Sequence, residues 1–284
     1  MRFRSSFLLV VMLSACTQLD EEPLHSSIDN RNNQSGTLNN NPCSIALTAL
    51  DHNQSSQNIS RYQHAILRNH QALANLEKLG WAFVEKARTS FDPGFYKLAE
   101  QTVACLIQKQ PENVNALMLK SHILHNLHRF KDAELVARQV VAQRGSWFEY
   151  AVLGDALMEQ GKLDQAALAY QHMVDQRPGP QSYSRAAHLR WLFGDLDGAI
   201  ELMALAVQAH VASGSESTAW FQTRLAMYLF QAGQLDSAKK ILTTTLARHS
   251  TYAPALLVLG RIHLAQENHA QAVKIFTIAE TINP

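Results

Sequence analysis

The chain has 284 residues, with 25 Lys and Arg against 24 Asp and Glu, for a formal net charge of +1. A balance that near to neutral carries no basic stripe of the kind nucleic-acid binding needs, which excludes DNA and RNA as partners. Apolar residues make up 46% of the chain, enough for a folded body. No stretch beyond the N-terminus is long and apolar enough to span a bilayer.

Residues 1–15 read as an export signal. Arg2 and Arg4 precede the apolar run Phe7-Leu8-Leu9-Val10-Val11-Met12-Leu13, which is too short to cross a membrane. The run ends in Leu13-Ser14-Ala15-Cys16, which resembles the bacterial lipoprotein box. That resemblance implies cleavage before Cys16 and acyl chains on its sulfur and on the new amino terminus, which together hold a protein stably at a membrane. Thr17 in place of Asp implies sorting to the outer membrane, with the chain facing the periplasm.

Residues 16–60 read as the lipidated cysteine and a flexible tether. The tract from Asn30 to Asn41 is rich in Asn and Ser and offers too little apolar surface to offset its ordering entropy. A flexible segment of about 40 residues reaches roughly 35 Å. Ser44 to Leu50 has the character of a short helix within it. Of the remaining cysteines, Cys43 falls in this tether and Cys105 in a helical stretch. Export permits a bond between them, but a helical cysteine in an apolar setting is more simply read as a buried thiol.

From residue 61 onward the chain repeats. Gly161-Lys162-Leu163-Asp164-Gln165-Ala166, Gly194-Asp195-Leu196-Asp197-Gly198-Ala199 and Gly233-Gln234-Leu235-Asp236-Ser237-Ala238 are one phrase written three times. Adding Ala133 upstream and Ala272 downstream gives steps of 33, 33, 39 and 34 residues. A period near 34 between apolar stretches of helical spacing means stacked helical hairpins. Small residues recur where paired helices must cross: Gly80, Ser121, Gly154, Ala187, Ala226 and Gly260. The glycines of the phrase suit a left-handed residue after a helix, and Asp164, Asp197 and Asp236 suit the start of the next one. In the first unit, residues 88–94 read as a longer turn.

These residues resemble the tetratricopeptide repeat. The unit from Trp147 to Pro178 carries Tyr150, Leu153-Gly154, Leu157, Ala166, Tyr170, Met173 and Pro178 at the family's places, and six units cover about 66–284. The resemblance implies an all-α, right-handed solenoid over residues 61–284, acting as a non-catalytic interaction scaffold. It also implies that the first helix of each hairpin lines a concave groove. Carried over position by position, the groove residues are Trp81, Met118, His122, His125, Phe148, Asp155, Met158, His188, Trp191, Trp220, Met227, Phe230 and Arg261. Tryptophan is a frequent anchor of binding energy and methionine an adaptable surface. The family's carboxylate clamp needs lysine and asparagine, whereas this chain has Glu77, Trp81, Asn115 and His122 there. An apolar helix or extended segment is therefore the expected partner. Lipoproteins of this family serve envelope assembly, pilus or secretion machines, and peptidoglycan enzyme complexes.

No Walker-type loop, Gly-x-Ser-x-Gly, His-Glu-x-x-His or Cys-x-x-Cys occurs, so neither an enzyme nor a bound cofactor is expected. The alternative reading is a periplasmic metal-binding accessory. His122, His125 and His128 stand one helical turn apart and are the metal-ligand candidates. At the other end, Phe276, Ala279 and Ile282 would lie on an open edge. Either the chain is truncated there or the edge mediates self-association.

Overall fold

The computed structural model describes residues 41–48, 50, 56–69, 73–210 and 215–282. Cys16 and the signal peptide lie outside these residues. The described residues form helices and turns. They begin with α1 (Pro42–Ala46) and α2 (Gln57–Arg68). Six hairpins follow: α3 (Leu73–Ser90) with α4 (Gly94–Lys109), α5 (Val114–Asn126) with α6 (Phe130–Gln143), and α7 (Trp147–Met158) with α8 (Leu163–Gln176). The second half continues with α9 (Pro180–Leu192) and α10 (Leu196–Ala209), α11 (Glu216–Gln231) and α12 (Leu235–Arg248), and α13 (Ala253–Ala265) and α14 (His269–Ile282). Each helix packs on its hairpin partner and on the next hairpin, and first helices also touch along one wall, as α3 on α5, α5 on α7 and α11 on α13. This is an all-α solenoid.

The repeat phrase does the structural work expected of it. Ala133, Ala166, Ala199, Ala238 and Ala272 are fully buried, as are the crossing residues Ser121, Ala187 and Ala226. Glycine is required where an aromatic ring of the second helix lies on the backbone of the first. A Cβ on Gly154 would stand 2.3 Å from the Tyr170 ring, and one on Gly260 would stand 2.3 Å from Phe276. At the Ser121 crossing the small residue also bonds, its Oγ donating to the Ala133 carbonyl at 2.8 Å. Gly161, Gly194 and Gly233 have φ of 73°, 84° and 75°. His128, at φ 57°, holds the same left-handed place in the second repeat without being glycine.

Four expectations change. First, packed helical structure among the described residues starts at Pro42, within the stretch expected to be tether. Asn41 caps α1 through the Cys43 N–H, and Ser56 caps α2 through the Ile59 N–H. Ile59, Gln63 and Ile66 of α2 are buried, and Gln63 Nε2 donates to the Ala46 and Thr48 carbonyls, so this part of the tether is an N-terminal cap. Second, Cys105 is not a free buried thiol. It is bonded to Cys43, which ties α1 onto α4. Third, α3 runs through to Ser90, and the turn occupies only 91–93. The Thr89 and Ser90 hydroxyls bond back to the Glu85 and Lys86 carbonyls, so these residues continue the helix instead of ending it. Fourth, it is Asp195, not Asp197, that caps α10, accepting from the Gly198 N–H at 2.9 Å. Asp164, Asp197 and Asp236 sit in the first turns, where they meet the helix dipole.

Candidate functional site

The first helices of the hairpins put one face of side chains on the inner wall of the stack, because residues three and four apart share a face. Four of them, α5, α7, α9 and α11, surround a cavity of about 530 Å³. From α5 come His122, His125 and Asn126, and from α7 and its cap Asp155, Met158 and Glu159. Helix α9 contributes Gln181, Ser184, Arg185 and His188, while α11 contributes Glu216, Ser217, Trp220, Phe221, Arg224 and Tyr228. Tyr170 and Met203 reach in from second helices. Arg88, carried there by the extra length of α3, pairs with Glu216 and closes one side.

An ion pair braces the floor. Arg185 Nε and Nη2 donate to the two Asp155 oxygens, each at 2.7 Å, and the Tyr170 hydroxyl donates to Asp155 Oδ1 at 2.8 Å. Burial pushes the Asp155 carboxyl upward, but the Arg185 charge and these bonds outweigh it and hold it below the usual carboxylate range. Burial and the neighbouring carboxylate push the Tyr170 hydroxyl well above its ordinary value, so it stays a donor. His188 Nδ1 lies 3.2 Å from the Tyr228 hydroxyl, and its ring stacks on Trp191 at 5.3 Å. Burial, then the Arg224 charge, brings the His188 pKa down to about 4. Burial, then His125, does the same to His122, also to about 4. Both imidazoles are neutral near pH 7.

Of the residues read as groove-facing, His122, His125, Asp155, Met158, His188 and Trp220 line this cavity. The others lie elsewhere. Trp81 packs on His122 and Phe148, with ring centroids 5.3 and 6.1 Å away, and Met118 is buried beside them. Trp191 is held between repeats, its Nε1 donating to Gln231 Oε1 at 2.6 Å. Met227 and Phe230 pack on the core of the fifth and sixth repeats, and Arg261 is exposed on α13. Arg88, Arg185, Arg224 and Tyr228 were missed. Arg185 had a legible signal, an arginine on the first helix of the next hairpin, 30 residues after Asp155 and so near the repeat distance.

The histidine cluster has other tasks. His125 and His128 both pack on Phe130, with centroids 5.5 and 5.4 Å away, and the His122 ring nitrogen contacts Asn126 at 3.3 Å. Among the described residues no group of three or more His, Cys, Asp or Glu is placed to hold a metal ion.

A solenoid of helical hairpins with a ligand-sized inner cavity is the architecture of an interaction scaffold. Residues 152–213 and 229–280 each match a family model described as tetratricopeptide repeat, so the chain carries tetratricopeptide repeats there. Solved structures with the same fold include the Cut9–Hcn1 assembly of the APC/C, at 14% identity and TM-score 0.66 over 78% of this chain. The chain spans only 42% of that structure's own length. TTC0263, a thermophilic protein of the same repeat class from Thermus thermophilus, matches over 68% of this chain and 100% of its own, at 18% identity and TM-score 0.58. PilF from Pseudomonas aeruginosa matches over 76% and 93%, at 13% identity and TM-score 0.54. No curated protein matches the chain. The tetratricopeptide fold is generally a non-catalytic module for protein–protein interaction.

Proposed function

We propose that this chain is a lipid-anchored adaptor of a bacterial envelope that holds a segment of a partner protein against its concave wall. The observation that carries this is the 530 Å³ cavity, where first helices of four repeats converge aromatic, charged and hydrogen-bonding side chains. Asp155 is engaged by Arg185 and Tyr170, and His188 by Tyr228, an arrangement that fixes these side chains in place for recognition. Anchoring rests on Leu13-Ser14-Ala15-Cys16, outer-membrane sorting on Thr17, and the disulfide between Cys43 and Cys105 agrees with export to an oxidising compartment. Self-association through the α13–α14 edge is part of the proposal. The metal-handling reading has no geometry in its favour.

A photo-crosslinking residue at Ser217, inside the cavity, and another at the strongly exposed Leu135 of α6 test the adaptor reading. We expect a discrete cross-linked partner from Ser217 alone. Equal capture at both positions would remove the concave wall from the function. Cys16→Ser tests anchoring: the chain should leave the membrane fraction, and one that stays there without Cys16 is held by something else.

A further inference from the structure

Three guanidinium groups reach the concave cavity, and their charges are not treated alike. Arg88 pairs with Glu216, and Arg185 with Asp155. Arg224, midway along α11, has no carboxylate within ion-pair distance among the described residues. Its hydrogen-bonding contact is the Met227 sulfur at 3.9 Å, and its guanidinium lies over the Trp220 ring, 5.6 Å from the centroid. The groups beside it, His188 and Tyr228, bond to each other and are neutral, so neither supplies a counter-charge. A half-buried cation without an anion is unfavourable, and a guanidinium matches a carboxylate in two parallel bonds.

We infer that the cavity takes a short extended segment bearing a carboxylate, with the anion seated on Arg224 and an adjacent flat side chain laid against Trp220. This rests on the adaptor reading and narrows it. The 530 Å³ present suits a few residues of extended chain, with the carboxylate in two parallel bonds to Arg224 and the ring on Trp220. Charge disfavours a dianion. Asp155, Glu159 and Glu216 balance Arg88, Arg185 and Arg224 among the lining residues, so the cavity is formally neutral; one negative charge finds a local counter-charge in Arg224, and a second meets net repulsion. The preference therefore belongs to a carboxylate over a phosphate.

The test titrates the full chain, in detergent, with acetyl-Phe-Glu-Phe-amide, acetyl-Phe-Gln-Phe-amide, 3-phenylpropionate and phenyl phosphate, following heat and tryptophan fluorescence. The Glu peptide is expected to bind about tenfold or more tightly than the Gln peptide. Arg224→Gln should erase that difference while keeping the weaker binding of the Gln peptide. Arg224→Lys should retain part of the difference, which separates loss of charge from loss of fold. Phenylpropionate binding as tightly as the Glu peptide would place the source as a free small carboxylate, whereas much weaker binding places it in a peptide. Equal binding of the Glu and Gln peptides, no binding of either, tighter binding of phenyl phosphate, or an unchanged preference in Arg224→Gln each overturns the inference. If the peptides bind equally while Ser217 still cross-links its partner, the carboxylate is wrong and the adaptor reading stands. If the Ser217 cross-link is absent, the adaptor reading itself fails.

Discussion

Arg88, in the last turn of α3, and Glu216, in the first turn of α11, form an ion pair although 128 residues separate them. The contact joins the first repeat to the fifth, so the stack curves back on itself. The side chains are 48% and 32% exposed, and pairs so open to water contribute only about 0–1 kcal/mol. Replacing Arg88 by Glu should therefore leave the melting temperature nearly unchanged. It should instead raise amide exchange in 88–94 and 215–220, and the double reversal Arg88→Glu with Glu216→Arg should restore protection. Unchanged exchange in the single variant would mean that curvature is set by helix packing alone.

The crossing glycines separate two costs. Gly154→Ala forces a methyl against the Tyr170 ring, which is itself fixed by Asp155, so about 1–3 kcal/mol of stability should be lost. Gly161→Ala meets nothing within 4 Å but keeps φ at 73°, and should cost about 1–2 kcal/mol from backbone strain alone. Urea denaturation should show one further difference. Trimming Tyr170 to Leu should recover stability in the Gly154→Ala background and none in Gly161→Ala.

Those glycines were legible because each repeat states the same packing problem again, and a period fixes which residues face each other. The hairpins, their crossing points and six of the cavity-lining residues followed from register. What did not follow depends on long side chains and accumulated rotation. Arg185 lies beside the cavity-lining Ser184, and its guanidinium spans back to Asp155 on the preceding repeat. The meeting of Arg88 with Glu216 is a sum of small turns over four repeats, which no local pattern encodes. Trp81 and Trp191 sit at groove positions but fill the seam to the next repeat, since a ring that large finds its partner before it reaches the groove.

Acid should destabilise the chain through its buried imidazoles. His122 and His188 have pKa values near 4 in the fold against 6.5 when exposed, so between those limits the unfolded chain binds more protons. Stability therefore falls as pH drops from 6.5 to 4, by up to about 1.4 kcal/mol per pH unit for each histidine. Glu134, held to about 2 by Lys162, Gln160 and Arg138 against its burial, loses its contribution below its unfolded value of 4.5, so it steepens only the lower end. Denaturation curves at pH 7 and 5 should draw closer when both histidines are replaced by Gln, with a smaller remainder from His125 and His263, whose pKa values burial also lowers. A slope that persists undiminished would assign it to other groups.

Reduction should act locally. The Cys43–Cys105 bond closes a loop across 62 positions, for which chain entropy gives about 4 kcal/mol. In a solenoid each repeat contacts only its neighbours, so the loss should fall on α1 to α4. With Cys43→Ser, hydrogen exchange should rise in α1, α2 and α4 while α9 to α14 keep their protection. Uniform loss along the chain would instead show a single cooperative unit.

The far end offers the last test. In earlier repeats the inner-wall side chains meet the next first helix, as Trp81 meets His122 and Asp155 meets Arg185. On α13 the corresponding face, Leu257, Arg261 and Leu264, is covered by no further described helix, and each leucine is 45% exposed. Val273 and Ile278 extend this apolar surface onto α14, whereas the residues expected on the open edge turn inward: Ala279 is buried, Phe276 lies on Gly260, and Ile282 packs beside Ala279. The opposite end is capped by α2, with Ile59 and Ile66 buried, so head-to-tail stacking is blocked and a two-fold pairing of α13–α14 edges is the geometry that remains for a second copy. Sedimentation should show dimers that dissociate on dilution. The double variant Leu257→Asp and Leu264→Asp should sediment as a monomer with an unchanged melting temperature, because neither side chain supports the core. A wild-type chain that stays monomeric at high concentration would leave this edge to a different partner.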